Sequence, residues 1–136
     1  MYILGIELKG NDAYMALVDK KGRCRHQQQL ELGDRDDAAQ VATFYRAITS
    51  LIKPYSITSV RLTRTPHITT NANAIDVVRM ETIFQLHFSH CFSMIERDEL
   101  EDWMTHHLVE HHPMTQFHLA ITAAQYELQH NICFLD

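Results

Sequence analysis

The spacing of apolar residues changes near Asp34 from that of consecutive strands to that of helices alternating with strands. This change restricts the possible folds more than any other feature. The amino-terminal part contains three segments rich in β-forming residues, at 2–8, 13–19 and 23–32, which glycine-containing turns separate. Beyond Asp34 the apolar residues recur at intervals of three and four, which is typical of amphipathic helices, and two further strand-like segments interrupt them. The sequence therefore predicts three consecutive strands followed by alternating helices and strands.

The later part of the chain is predicted to hold three helices and two strands. Aspartates precede the first helix, where they lie at the positive end of its dipole, and Pro54 ends it. Strands are expected at 56–65 and 91–95, a helix at about 73–88, and a last helix within 114–130. The residues expected on the apolar faces of these helices are Val41, Phe44, Tyr45, Ile48, Leu51 and Ile52, then Ile75, Val78, Ile83 and Leu86, and finally Phe117, Ile121, Ala124 and Leu128.

This order of elements predicts an α/β domain built on a mixed five-stranded sheet. Short turns join antiparallel neighbours, so the first three strands are expected to form an antiparallel meander, with the third at the sheet edge. The longer connections carry helices and predict parallel strands joined by right-handed crossovers, which places the first strand beside the fourth. The length suits a single domain over residues 1–136.

Composition excludes several classes of protein. The net charge of −5 provides no overall basic field for nucleic acid, so any such contact would have to be local. The apolar stretches are too short to span a membrane. Three cysteines without paired spacing predict neither a disulfide framework nor a zinc ribbon, and the reducing cytoplasm is the expected location.

The opening sequence ILGIELKGNDAYMALVD resembles the first hairpin of the ribonuclease-H-like superfamily: an aliphatic strand ending in an acid, a glycine turn and a second aliphatic strand. More narrowly, GIELKGN, the helix start DDAAQV, the strand VRLTR and the helix ITAAQYEL are similar to a family of small bacterial proteins, domain of unknown function 3010. The resemblance spans the chain and implies a ribonuclease-H-like fold. It implies no particular activity.

The same resemblance implies where a functional site would lie. Catalytic members of the superfamily place acids at the ends of the first and fourth strands and at the start of the last helix, where they hold divalent metals. Those positions here carry Glu7, Arg64 and His118, and Glu81 lies in the preceding helix. We expect these four residues to border one cleft, with Glu7 either paired with Arg64 or serving as a ligand or substrate contact.

One carboxylate, one guanidinium and one imidazole make an incomplete set for two metal ions, because the guanidinium would repel them. The leading hypothesis is therefore a non-catalytic or vestigial binding module, for nucleic acid or a protein partner, without a cofactor. The alternative is a phosphodiesterase-like or nuclease-like hydrolase in which His118 and Glu7 bind one divalent metal ion. A second alternative is an interaction subunit that forms a homodimer through an exposed apolar edge.

A histidine cluster near the carboxyl end offers a separate candidate metal site. His106, His107, His111 and His112 occur in the sequence HHLVEHH. Because His107 and His111 are four residues apart, they would share one helical face and could bind a transition metal with Glu110 close by. A solvent-exposed histidine-rich face is the competing interpretation, since the zincin pattern HExxH is absent.

Overall fold

The computed structural model describes residues 1–64, 72–107 and 115–130. The strands within them are β1 (Tyr2–Lys9), β2 (Asp12–Val18), β3 (Cys24–Glu31), β4 (Ile57–Arg64) and β5 (Phe92–Glu96). The helices are α1 (Ala38–Ile52), α2 (Ala72–His87), α3 (Arg97–His106) and α4 (His118–His130). Among the described residues, no helix has the length and apolar character needed to cross a membrane.

The five strands form one mixed sheet in the order β3-β2-β1-β4-β5. β2 pairs antiparallel with both β1 and β3, whereas β4 pairs parallel with both β1 and β5. The predicted antiparallel meander, the edge position of β3 and the neighbourhood of β1 and β4 are all confirmed.

The two faces of the sheet are covered by different helices. On one face, Leu4, Ile6 and Leu8 of β1 join a core with Phe44 of α1 and Phe84 of α2. On the opposite face, alternate residues of β1 meet α4, and the buried members of that second core are Ile3, Ala16, Val18, Ala120, Ile121 and Ala124. Because side chains alternate along a strand, β1 presents its odd-numbered residues to α4.

α4 packs on β1 at very short range because position 5 has no side chain. An alanine Cβ at Gly5 would overlap the carbonyl oxygen of Ala120 and lie 2.8 Å from the amide nitrogen of Ala124. The predicted apolar face of α4 is confirmed, since Phe117 and Leu128 also pack into this second core. The glycine therefore fixes the spacing between β1 and the helix that begins at His118.

The predicted apolar face of α2 is wrong. α2 buries Val77, Met80 and Phe84 in the first core, with Ile83 partly buried, and Phe88 directly after the helix is buried there too. Three of the expected core residues, Ile75, Val78 and Leu86, are instead exposed. Both faces of α2 carry aliphatic residues at helical spacing, so the period alone did not distinguish the inner face from the outer one.

α1 begins and packs largely as predicted. The Asp37 carboxylate caps the helix by accepting a hydrogen bond from the Ala39 amide at 2.9 Å. Phe44 and Ile48 are buried, whereas Tyr45 is exposed and its ring lies 4.9 Å from that of His87 on α2.

Candidate functional site

A cleft of about 210 Å³ lies where β1 ends and α4 begins. The hairpin of β1 and β2, the first residue of α3 and the segment entering α4 build it. Its lining residues are Glu7, Lys9, Tyr14, Arg97, Thr115, Gln116, His118 and Leu119. The cleft thus combines one carboxylate and two permanent cations with hydroxyl, amide and imidazole groups.

Glu7 lines this cleft and is only 8% exposed. Among the residues that the structure describes, none donates a hydrogen bond to its carboxylate. Burial raises the pKa of Glu7, and the positive charges of Arg97 and Lys9 oppose that rise without cancelling it. The carboxylate is therefore a desolvated acceptor whose ionised form the protein only partly stabilises.

Tyr14 lies directly opposite Glu7 in the β1–β2 register. Burial raises the pKa of its phenol, and the nearby negative charges of Asp12 and Glu7 raise it further. Its ring packs edge-on against Phe117 at 5.6 Å between centroids, which ties the hairpin to the start of α4. The phenol thus stays protonated and remains a hydrogen-bond donor at neutral pH.

Arg97 is the cation supplied by α3. Its guanidinium donates from Nε to the Glu101 carboxylate at 2.9 Å, and that hydrogen bond is the main reason its pKa is raised. The negative charge of Glu7 also raises the pKa of Arg97, as expected for opposite charges that line one cleft. Arg97 is therefore held at the cleft by an exposed partner on its own helix.

The expected pairing of Glu7 with Arg64 is wrong, because Arg64 is bonded to Glu81. The Arg64 guanidinium donates two hydrogen bonds to that carboxylate, at 3.1 and 2.9 Å. Arg64 shares its strand face with Val60 and Leu62 of the first core, whereas Glu7 faces α4. The two residues therefore lie on opposite faces of the sheet.

The four residues proposed from the sequence thus divide into two places. Glu7 and His118 line the same cleft, while Arg64 and Glu81 form an ion pair between β4 and α2 on the other face. The single cleft that all four residues were expected to border is therefore not formed. A closed Glu7–Arg64 pair is absent, and Glu81 does not join Glu7 and His118.

The sequence analysis did not identify Tyr14, Lys9 or Arg97 as site residues. A signal for Tyr14 was available, because a short hairpin turn fixes which residues of two antiparallel strands face each other. Arg97 directly follows β5, and the carboxyl ends of parallel strands share one edge of a sheet. Its approach to Glu7 depends on the position of α3, which no sequence period specifies.

A second buried ion pair fastens α4 to β4 on the same sheet face as the cleft. Glu127 of α4 accepts hydrogen bonds from Ser59 Oγ at 2.6 Å and from Arg61 Nε at 2.7 Å. Arg61 also donates to the Met94 carbonyl oxygen at 3.0 Å, and its guanidinium lies 5.2 Å from the centre of the Tyr126 ring. These contacts hold α4 in place without adding charge to the cleft.

The donor set of the cleft does not fit a site for two divalent metals. Such a site needs several carboxylates converging on one point, and within the described residues no group of three or more histidine, cysteine, aspartate or glutamate side chains could hold an ion. In the cleft itself, Glu7 has two cationic neighbours, and both would oppose a metal ion.

The histidine metal site has only one of its two ligands in the described part of the chain. α3 ends at His106, and His107 has the extended backbone angles φ −128° and ψ 134°. His107 therefore does not continue the helical face on which the pairing with His111 was based, and His111 lies outside the described residues. The His107 ring instead stacks on Trp103 with 4.8 Å between centroids.

Comparison with known proteins identifies the family and the fold. Residues 1–124 match the family model described as protein of unknown function (DUF3010). The chain belongs to this family. No protein of the curated set matches the sequence significantly.

Solved structures share the fold at low sequence identity. The Thermus thermophilus RuvC structure in complex with Holliday junction substrate superposes with a TM-score of 0.72 and 13% identity, covering 91% of this chain and 90% of that one. A second Thermus thermophilus RuvC structure gives a TM-score of 0.66 at 14% identity, with 98% and 94% covered. The ROK hexokinase from the same organism gives 0.53 at 14% identity and covers 79% of this chain but only 39% of that one. The fold is therefore ribonuclease-H-like, as the resemblance implied.

Proposed function

We propose that this protein is a non-catalytic nucleic-acid-binding module that contacts backbone phosphate through the cleft of Glu7, Lys9, Tyr14, Arg97 and His118. The observation that carries the proposal is the convergence of two permanent cations and several donor groups on one concave site. The similarity in fold to a RuvC structure solved with a Holliday junction supports a nucleic acid as the ligand class.

The charge of the chain sets the expected strength of this binding. The net charge of −5 opposes phosphate binding overall, so the binding depends on the cations gathered in the cleft. Two cations that neutralise two phosphates give a slope of log affinity against log salt of about −2. We therefore expect weak binding that falls roughly tenfold between about 50 and 200 mM salt.

Fluorescence anisotropy with a labelled four-way DNA junction, a matched duplex and a matched single strand tests the proposal. Lys9→Gln and Arg97→Gln should each weaken binding and reduce the salt slope by about one. Lys53→Gln is the matched control, because Lys53 is exposed at the end of α1, on the opposite side of the sheet. Absence of binding at low salt, or an equal loss in the control, would refute the proposal.

A metal-dependent hydrolase remains a second candidate, because Glu7 and His118 do line one cleft. The described residues there could give an ion one carboxylate and one imidazole, alongside two opposing positive charges. A cleavage assay on the same DNA substrates with Mg²⁺ and Mn²⁺ distinguishes the two functions. Cleavage by the wild type that Glu7→Gln abolishes would establish the hydrolase and overturn the non-catalytic proposal.

A further inference from the structure

The outer face of α2 carries an apolar stripe that nothing in the described chain covers. Ile75 and Val78 are each 49% exposed and Leu86 is 71% exposed. Together with Thr82 they follow one another at intervals of three and four residues, which places them in a single row along the helix. The row spans roughly 16 Å at 1.5 Å per residue.

The other exposed residues on this face are also unusual for a solvated helix surface. Among the described residues they are Arg79, Gln85 and Ser89, so the described part of this face carries a single charge, a cation. The Arg79 guanidinium donates to the Arg35 carbonyl oxygen at 3.2 Å, beside the face. A row of aliphatic residues with few charges around it is typical of the centre of a protein interface.

We propose that this face binds the same face of a second copy of the chain, with the two α2 helices antiparallel about a two-fold axis at Thr82. In an isologous contact each residue meets the one placed equally far on the other side of the axis. Val78 then faces Leu86 of the other copy, and Arg79 faces Gln85. At its centre the pattern is self-complementary, because Val78 meets Leu86 and the cation meets an amide, while Ile75 lies opposite the small residue Ser89 at the ends of the contact.

The charge of this face favours a second copy over other occupants. Nucleic acid or an acidic protein would find a single cation here, and a basic partner would find no acid among the exposed residues of the stripe. A second copy requires neither, since no like charges meet across the proposed axis. Tyr45, exposed and with its ring tilted against that of His87 at 4.9 Å, lies at the Leu86 end of the helix and extends the apolar surface there.

Sedimentation velocity and light scattering on the full chain test this proposal. We expect a species of twice the 15.8 kDa chain mass at high protein concentration, and a dimer Kd weakened at least about 100-fold by Val78→Glu or Leu86→Lys. Combining the two substitutions places each new acid opposite a new base across the axis, and should restore part of the dimer. Within one helix these positions are eight residues apart and do not pair.

Ser50→Lys is the control, since it adds the same charge as Leu86→Lys at an exposed position of α1. It should leave the dimer unchanged. Circular dichroism checks that each variant is folded. We expect all of them to fold, because Val78 and Leu86 are exposed in the single chain. A wild type that stays monomeric at about 100 µM, or stripe variants that dimerise like the control, would overturn the proposal. Loss of dimer in both single variants without recovery in the double variant would overturn the antiparallel register.

Discussion

Replacing Gly5 by alanine should be among the most destabilising single-methyl additions in this protein. The new Cβ would meet the backbone of α4, namely the Ala120 carbonyl and the Ala124 amide nitrogen at 2.8 Å. Carbon contacts are favourable only beyond about 3.5 Å, so α4 must move outward as a unit, because backbone atoms cannot rotate away. Overpacking of a close-packed core costs about 1–3 kcal/mol. Because the clashing atoms belong to the backbone of α4, we expect Gly5→Ala to lower the free energy of unfolding by about 3 kcal/mol.

Urea unfolding measures this loss directly. A change of about 3 kcal/mol with an m-value of about 2 kcal/mol/M lowers the midpoint by about 1.5 M. Gly10→Ala is the matched control, since nothing lies within 4 Å of the Cβ that it adds. Its cost comes only from placing an alanine at a φ of +62°, which should lower the free energy of unfolding by about 1 kcal/mol. If Gly5→Ala were no more destabilising than Gly10→Ala, the close contact of β1 with α4 would not exist as described.

The charged groups give three further expectations. Burial raises the pKa of Glu7, so its contribution to stability is complete only below the unfolded pKa of about 4.5 and is lost as pH rises through the raised folded value. The melting temperature of Glu7→Gln should therefore exceed that of the wild type at pH 7. The difference between the two melting temperatures should disappear near pH 4. The ionised Glu7 should also repel phosphate, so anisotropy should show tighter DNA binding by Glu7→Gln at neutral pH, and equal affinities at pH 7 would contradict this. In urea unfolding, Arg61→Met should lower the free energy of unfolding by about 3 kcal/mol and Arg64→Met by about 1–2 kcal/mol. The Arg61 side chain is 17% exposed, whereas that of Arg64 is 38% exposed, so water can solvate the carboxylate that Arg64 leaves behind. The reverse order would show that exposure does not control the loss.

The sheet could be predicted from the sequence because its order depends on connection lengths. Two short turns allow only antiparallel neighbours, and the longer helical connections require parallel ones. The Asp37 cap and the apolar face of α4 are equally local signals, carried by residue type and spacing. Each of these features follows from residue type, residue spacing or the length of a connection, all of which the sequence states directly.

The features that could not be predicted depend on which side of an element faces the core. Glu7 and Arg64 end neighbouring strands, and proximity at the sheet edge suggested a pair, but alternation along each strand sends them to opposite faces. In α2, aliphatic residues occupy both faces, so Val78 and Leu86 were assigned inward although Met80 and Phe84 fill the core. A period identifies a helix, whereas the neighbouring layers decide which stripe is buried.

Glu7 is a buried carboxylate near the end of the otherwise apolar strand β1, and its surroundings in the cleft indicate why it is there. Glu7 is not held there by a structural partner, since Arg64 belongs to Glu81 and the described residues donate no hydrogen bond to it. Its burial opposes ionisation, and the two cations near it offset only part of that cost. A group that costs stability where glutamine would cost less is more readily explained by a ligand than by the fold. The cleft places this acceptor beside Lys9 and Arg97, so a ligand that presents an anionic group to the two cations and a hydrogen-bond donor to Glu7 would satisfy all three side chains.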